Sequence, residues 1–339
     1  MRVQSAEWNG EYGSDRNGLV WGYRFDAKGT TAISAEEATQ QLARGEPTDA
    51  FCWLHFSLAN AASERWLRQS IKLLDSFYEA LHATSGSTRI EQDGDALVVG
   101  INDVLSDFHS IGVNVSSMAL AVRPGVIVSA RLKPVRSVDR LRETVRAGAP
   151  VRSPVSLLAR LLQNQADVLI EVVRKSNETV DDIEDRVLTS PIPGHRAQLS
   201  SIRRMLVRLQ RLLAPEPAAL FRLLSRPPTW VTHDDVDELR RSAEEFSAAV
   251  ADCVTLVERA KLVQEELAAM VNEQTNRSLF LLTFVTVLFL PFNVTGALFG
   301  MNVGGIPFGQ SPLGFWTIVV IVTALTLVVA RWLWGQFRS

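Results

Sequence analysis

Two long apolar runs near the C-terminal end constrain this chain more than any other feature of its sequence. The first is SLFLLTFVTVLFLPFNVTGALFG, residues 278–300, and the second is LGFWTIVVIVTALTLVVARWLW, residues 313–334. Between residues 277 and 339 the chain has three arginines and no Asp, Glu, Lys or His. About 20 apolar residues in a helix cross the hydrocarbon core of a bilayer. The sequence therefore predicts two transmembrane helices, at about 278–299 and 313–334.

The rest of the chain has the composition of a soluble protein. The formal net charge of the whole chain is -2 and the three C-terminal arginines contribute +3, so residues 1–276 carry about -5. No strong positive field indicates nucleic-acid binding. The two cysteines, Cys52 and Cys253, lie far apart, which excludes a disulfide framework and a Cys-rich zinc site. No P-loop, GxGxxG, GxSxG or HExxH pattern is present, so neither enzymatic activity nor a cofactor is predicted.

The segment between the two predicted spans, residues 300–312, is short, uncharged and rich in Gly and Pro. Basic residues flank the other ends of the spans, namely Arg259, Lys261 and Arg277 before the first and Arg331 and Arg338 after the second. By the positive-inside rule, both termini are expected in the cytoplasm of a multi-pass protein in the plasma membrane, here a bacterial inner membrane. Because two helices cannot enclose a water-filled path, conduction would require a ring of subunits.

One face of the first predicted span alternates aliphatic with small or polar side chains. At 100° per residue these side chains fall within a band roughly 80° wide, with Asn276 at its edge. The band consists of Leu279, Leu282, Thr286, Leu290, Asn293 and Ala297. Asn293 is unusual because an amide that faces lipid is costly unless it is paired or hydrated. The pattern suits a pore with polar stations between hydrophobic constrictions, and it equally suits helix–helix packing with Thr and Asn hydrogen bonds.

A short motif, Gly300-Met301-Asn302 followed by VGGIP at residues 303–307, stands between the two predicted spans. A Gly-Met-Asn at this place resembles the CorA superfamily of divalent-cation transporters, and the longer GMNVGGIP is similar to its ZntB-type zinc-transport branch. The resemblance extends to the long helix before the first span and, loosely, to the α/β region ahead of it. It implies a funnel-shaped homopentamer with a pore lined by the first span.

The resemblance also implies roles for individual residues. Asn302 would supply a ring of amide oxygens at the outer pore mouth, which hydrogen-bond the hydration shell of a cation. Gly300 would let neighbouring backbones approach closely, and Met301 would pack as apolar filler. The pore-lining positions of the family fall on the band described above, at Asn276, Leu279, Leu282, Thr286, Leu290 and Asn293. The expected partners are further copies of the chain, the lipid bilayer and divalent cations.

Zinc is the expected cargo, because the loop lacks the acidic residue that magnesium-type members of the family often carry. Three alternatives remain open: a magnesium or cobalt channel of the same architecture, a non-transporting membrane-anchored oligomeric scaffold, and a tail-anchored enzyme. Between residues 278 and 330 there is no Asp, Glu, His, Lys, Cys or Tyr. Proton-coupled carriers usually hold a titratable group within the membrane. We therefore expect the membrane potential, rather than a proton relay in the spans, to drive transport.

The N-terminal part predicts an α+β fold, a mixed sheet flanked by helices. The predicted strands are residues 19–25, 51–57, 96–102, 117–124 and 126–132, and the predicted helices between them are 34–45 and 63–82. Further helices are predicted at 154–189 and, as a pair interrupted by prolines, at about 195–225.

A long stalk helix is predicted to lead into the membrane. Thr232 and Asp235 resemble a capping box, and no firm stop follows before Gly300. Two acidic runs, residues 181–186 and 233–238, either bind regulatory cations or form solvated faces and caps. The expected domains are a cytoplasmic α/β domain at 1–153, a cytoplasmic helical region with the first part of the stalk at 154–275, and a transmembrane domain at 276–339.

Overall fold

The chain forms two compact units, Met1–Gln264 and Glu265–Ser339. The computed structural model describes residues 13–44, 50–82, 88–105, 114–189, 194–301 and 313–338. The domain boundaries expected after residues 153 and 275 stay predictions.

A seven-stranded sheet forms the core of the first unit. Its strands are β1 (Leu19–Asp26), β2 (Gly29–Ala32), β3 (Phe51–Ser57), β4 (Arg89–Asp93), β5 (Ala96–Val104), β6 (Val115–Arg123) and β7 (Val126–Arg131). Their spatial order is β2-β1-β3-β7-β6-β5-β4. Strands β3 and β7 pair in parallel, and the other neighbours pair antiparallel. The predicted mixed sheet is confirmed.

Helices cover both faces of this sheet. The described helices are α1 (Ala35–Arg44), α2 (Ala62–Ser70), α3 (Asp75–His82), α4 (Arg136–Arg146), α5 (Pro154–Thr189), α6 (His195–Leu213), α7 (Pro215–Ser225), α8 (His233–Phe299) and α9 (Gly314–Arg338). Residues of α1, α2 and α3 share one core with the sheet, and residues of α4, α5, α7 and the start of α8 share the other. The predicted combination of mixed sheet, long helix and two apolar C-terminal helices is thus confirmed.

The composition of β3 shows why both faces are covered. Successive side chains of a strand point to opposite faces, and in β3 both sets are large and buried. Trp53 belongs to the core shared with α4 and α5, whereas Leu54 and Phe56 belong to the core shared with α1, α2 and α3. A strand that is apolar on both sides requires helices on both sides.

The single helix predicted for residues 63–82 is wrong. The structure has two helices, α2 and α3, separated at Lys72, whose φ of 51° lies in the left-handed region. The Leu67 carbonyl accepts from the N–H groups of both Ile71 and Lys72, which ends α2. The break lets Ile71 and Phe77 join the same buried core as Leu67. The short strands β2 and β4 and the helix α4 were not predicted either, whereas the other predicted strands and helices are confirmed.

The predicted start of the long helix is confirmed. The Asp235 N–H donates to Thr232 Oγ1 at 3.2 Å, and the Thr232 hydroxyl donates to Asp235 Oδ2 at 2.8 Å. The Ser153 hydroxyl also donates to this carboxylate. A capped start of this kind satisfies backbone donors that a helix leaves unpaired. From there α8 continues for 67 residues.

A buried carboxyl joins α5 and α7 to β5. Glu216 in the first turn of α7 accepts hydrogen bonds from the Asn102 N–H and from Gln165 Nε2, both at 2.8 Å. Gln165 Nε2 also donates to the Asn102 carbonyl. Burial raises the pKa of Glu216 well above its ordinary value, because the charged form loses its hydration. Three elements far apart in sequence therefore meet at one group.

Asp103, the next residue of β5, holds the start of α4. Its Oδ2 accepts from the Ser137 N–H at 3.0 Å and from the Ser137 hydroxyl, and its Oδ1 accepts from the Val104 N–H at 2.7 Å. Burial raises the pKa of Asp103 from 3.8 to about 6, because the hydrogen bonds from Ser137 and Val104 offset only part of the lost hydration.

Substitution Asp103→Asn should remove one component of the pH dependence of stability. Because the pKa of Asp103 is higher in the folded protein, its protonated carboxyl contributes fully to stability below about pH 4. This contribution is lost as the pH rises through about 6. From pH 4 to pH 7 the unfolding free energy of the unsubstituted protein should fall relative to that of Asp103→Asn, by roughly 2 to 3 kcal/mol. Thermal unfolding of the full chain in detergent measures this difference. Asp75→Asn, at a side chain that is 93% exposed, is the control. If the stability of Asp103→Asn changed with pH in parallel with that of the unsubstituted protein, the raised pKa of Asp103 would be contradicted.

Candidate functional site

The second unit exposes a continuous apolar surface. Among its described residues, the end of α8 and the helix α9 are each long and apolar enough to cross a membrane. Leu282 and Phe315 are 65% and 69% exposed. Soluble monomers rarely expose an apolar surface of this extent, so lipid or other copies of the chain must cover it.

All the side chains predicted to line a pore lie on one exposed face of α8. They are Asn276, Leu279, Leu282, Thr286, Leu290 and Asn293, and Ala297 lies on the same face. The half-buried side chains of the span form a second face, which consists of Phe280, Phe284, Val287, Leu288, Pro291 and Thr295. At 100° per residue the centres of the two faces are about 145° apart. The structure brings the predicted residues together on one surface, and their role in lining a pore stays a prediction.

A similar division marks α9. Its least exposed side chains recur every four residues, at Ile318, Val322, Thr326 and Ala330, and Val322 and Thr326 are only 8% and 6% exposed. Each of the two described helices in this unit therefore has one less exposed face. On α8 this face contains Pro291, whereas the side that carries Asn293 is exposed.

The polar side chains on the exposed face of α8 differ in how they are satisfied. The Thr286 hydroxyl donates to the Leu282 carbonyl at 2.8 Å. The Asn293 amide, in contrast, has no hydrogen-bond partner among the described residues of its own chain. An unpaired amide in an apolar span is costly unless water or another protein group pairs with it. Neutral amide and hydroxyl oxygens hydrogen-bond the water shell of a cation without displacing that shell.

The Gly-Met-Asn motif begins where α8 ends. The Gly300 N–H donates to the Gly296 carbonyl at 2.9 Å. A Cβ at position 300 would lie 2.8 Å from that same carbonyl oxygen, whereas a Cβ at position 296 would meet nothing within 4 Å beyond the backbone of its own helix. Glycine is therefore required at 300 by the chain's own backbone, in addition to the approach of neighbouring copies predicted above. Met301 is 50% exposed, and Asn302 lies outside the described residues.

The two acidic runs have partners within their own chain. Arg259 of α8 forms ion pairs with Asp181 and Glu184 of α5 and donates to Asn177 Oδ1 at 2.9 Å. The hydrogen bonds to Glu184 and Asp181 raise the pKa of the Arg259 guanidinium. The second run contributes Asp235, which caps α8. In the described part of the chain, no group of three or more His, Cys, Asp or Glu side chains is arranged to hold a metal ion.

The contact of Arg259 was missed from the sequence, although a signal for it exists. Asn177, Asp181 and Glu184 follow the i, i+4, i+7 spacing that places three acceptors on one helix face. Their spacing does not reveal which basic residue they bind, since Arg259 follows them by 75 residues or more in the chain.

Comparison with known proteins covers almost the whole chain. Residues 48–334 match the family described as CorA-like Mg2+ transporter protein. The zinc transport protein ZntB of Pectobacterium carotovorum is 26% identical over 317 residues, which are 94% of this chain and 95% of that protein. The protein of the same name from Yersinia enterocolitica is 25% identical over 315 residues, covering 93% of this chain and 94% of the relative.

Solved structures show the same fold. The full-length CmaX protein has a TM-score of 0.79 at 24% identity and covers 97% of this chain and 100% of its own. The CorA magnesium transporter of Methanocaldococcus jannaschii has a TM-score of 0.73 at 17% identity, with 94% and 97% coverage. The cytoplasmic domain of ZntB from Vibrio parahaemolyticus matches 76% of this chain and 99% of its own, with a TM-score of 0.63 at 14% identity.

Two glycine substitutions one helical turn apart should have opposite effects on stability. Gly300→Ala should lower the melting temperature by several degrees, because its Cβ would press against the Gly296 carbonyl. Gly296→Ala should leave it unchanged or raise it, since Ala is favoured over Gly inside a helix by about 0.5 to 1 kcal/mol. Thermal unfolding in detergent, followed by circular dichroism, measures both. Equal effects of the two substitutions would show that the end of α8 does not require glycine.

Proposed function

Because the chain belongs to the family of CorA-like Mg2+ transporter proteins, we propose that several copies of it form a pore for divalent cations, lined by α8 between Asn276 and Asn293. Membership in this family makes the chain a divalent-cation transporter rather than an enzyme. The proposal concerns the path of the ion, the identity of the ion and the assembly that carries it.

The observation that supports this path most directly is the position of Asn293. Its amide lies on the exposed face of α8 and has no partner among the described residues of its own chain. A ring of copies around a water-filled axis would hydrate this amide and would keep it out of lipid. The same face carries Thr286 about two helical turns before it, and Leu290 lies between the two. Polar and apolar rings would then alternate along the pore.

Two helices per copy require a ring of copies to enclose water. We propose a homopentamer, as the resemblance to the CorA superfamily implies, with the amides of Asn302 at its outer mouth. Five neutral amides attract a hydrated cation without binding it too tightly to leave. The basic residues at the inner ends of the spans, such as Arg277 and Arg331, support a cytoplasmic location of both termini at an inner membrane.

We assign residues 276–339 to the transmembrane domain, residues 1–153 to the cytoplasmic α/β domain, and residues 154–275 to the helical region between them. The wide exposure of the apolar side chains beyond Ser278 supports the boundary at 276, because such side chains need lipid around them. The boundary at 153 follows the end of the loop that precedes α5.

Zinc is the proposed cargo. The relatives from Pectobacterium and Yersinia are named zinc transport proteins, and the loop at residues 301–312 carries no acidic side chain that would favour magnesium. A magnesium or cobalt channel of the same architecture is the alternative, since the matching family is described by magnesium.

Flux into liposomes that contain the purified protein tests both the pathway and the ion. Uptake of Zn2+ should exceed that of Mg2+, Co2+ and Cd2+ at equal concentration. Asn302→Ala and Asn293→Leu should each reduce Zn2+ flux at least about tenfold, because each removes a ring of polar groups that interacts with the hydrated ion. A preference for Mg2+ would support the alternative cargo.

Phe292→Leu is the matched control for Asn293→Leu. Phe292 is 45% exposed and lies about 100° around the helix from Asn293, so its substitution should leave the flux intact. Unchanged flux in both Asn variants would contradict the proposed pore. No flux of any of the four ions in the unsubstituted protein would indicate a non-transporting scaffold.

The membrane potential should be sufficient to drive uptake. No titratable side chain lies between residues 278 and 330, and a potential of 100 mV contributes about 2.3 kcal/mol per elementary charge. A potassium diffusion potential, negative inside, should therefore accelerate Zn2+ entry into liposomes at equal internal and external pH. Uptake that requires a proton gradient and ignores the potential would contradict this mechanism.

A further inference from the structure

The helix α6 presents a basic face that has no acidic partner among the residues that the structure describes. This basic face consists of Arg204, Arg208 and Arg211, which lie within about 60° of each other around the helix. All three side chains are exposed, and α6 contains neither Asp nor Glu. Within the described residues none of the three guanidinium groups has an ion-pair or hydrogen-bond partner. Three neighbouring positive charges without counter-charges indicate a surface that binds something negative.

A complementary acidic face lies on α8. Between Ser242 and Glu258 this helix carries four acidic residues and no Lys or Arg. These acidic residues are Glu244, Glu245, Asp252 and Glu258, and all are exposed. Among the described residues, the only ion pair formed by any of them joins Glu258 to Lys261, whose Nζ lies 4.0 Å away. Ala248, Ala251 and Thr255 lie between the acids and are small enough to permit close approach of another helix.

The two helices are held side by side in antiparallel orientation. Gln264 of α8 donates to Ser200 Oγ at 2.8 Å and accepts from Arg203 at 3.2 Å. Eleven residues earlier in α8, Cys253 Sγ lies 3.7 Å from the Leu206 carbonyl oxygen. These contacts place the stretch of α6 after residue 203 beside the stretch of α8 before residue 264.

The basic face and the acidic face therefore lie at about the same height along the helices. The buried contact between Leu206 and Cys253 occupies the inner side of both helices, so the charged faces point outward from it. When copies are related by a rotation axis parallel to α8, equivalent residues of all copies lie at the same level along that axis. Neighbouring copies in a ring would bring the basic face of one beside the acidic face of the next, which is a heterologous contact that closes into a ring.

We propose that the basic face of α6 in one copy binds the acidic face of α8 in the next copy. This contact rests on the proposed ring of copies, and it assigns the cytoplasmic part of the ring an ionic interface between neighbours. A second copy of the chain fits better than a lipid headgroup because it supplies negative charges at the matching height. Charge complementarity of this kind sets orientation and register between partners.

Cross-linking of the full-length protein in detergent tests this contact. Two differently tagged chains are coexpressed in a Cys52→Ala and Cys253→Ala background, one with Arg208→Cys and the other with Asp252→Cys. A short bifunctional maleimide should link the two differently tagged chains. Each chain expressed alone should give no dimer, because the contact is heterologous. Adding Arg204→Glu and Arg211→Glu to the first chain should reduce the linked fraction roughly tenfold, and adding Glu244→Arg and Glu258→Arg to the second should restore it.

Three controls keep the outcomes separate. Arg146→Cys, at another exposed arginine, should not link to Asp252→Cys. Leu279→Cys on the proposed pore face should form dimers through its own cross-link whenever the ring is assembled, because each chain then has one thiol. A Leu279 dimer without any link between positions 208 and 252 would overturn the ionic interface and leave the pore intact, whereas loss of both would overturn the ring itself. If Arg204→Glu and Arg211→Glu abolish binding to anionic vesicles and leave the linked fraction unchanged, the basic face binds lipid and the proposal is wrong.

Discussion

The proposed pathway depends first on the continuous helical backbone of α8, whose hydrogen-bond ladder lacks a donor at Pro291. A backbone group buried in lipid without a partner costs several kcal/mol, so an apolar span must be helical. The same helix runs for 67 residues, about 100 Å at 1.5 Å per residue. It begins at a capped turn at Thr232 and ends at the glycine turn at Gly300. The face on which each side chain lies is therefore set by helical geometry rather than by a flexible linker.

The two units satisfy their polar groups in different ways. In the first unit Arg131 Nε donates to His55 Nε2 at 2.7 Å, so His55 Nδ1 carries the proton and donates to Ser129 Oγ at 2.7 Å. Burial and the charge of Arg131 hold the pKa of His55 well below its ordinary value, which keeps the ring neutral. In the second unit Asn293 finds no such partner among the described residues of its chain. The buried His55 is thus paired within a single copy, whereas Asn293 needs water or further copies.

Local patterns predicted most elements of the fold, and long-range packing explains the misses. A continuous run of apolar and aromatic residues identified β3, and the Thr232 cap identified the start of α8, because both signals lie within a few residues. The strands β2 and β4 are short and partly exposed, so they lack an apolar pattern of their own. The break at Lys72 was missed because it serves the packing of Ile71 and Phe77 into one core. No local rule predicts a left-handed lysine.

The sequence by itself determined that this chain has two apolar spans, a polar band on the first of them and a glycine motif after it. Composition and helical period suffice for these conclusions, because each is a property of one segment. Only the tertiary structure decided that the Pro291 side of α8 is the half-buried one and that Asn293 remains uncovered. Likewise, only folding brought Glu216 to Asn102 and Arg259 to Asp181. Such contacts join residues far apart in the chain, and their partners are selected by packing rather than by neighbouring sequence.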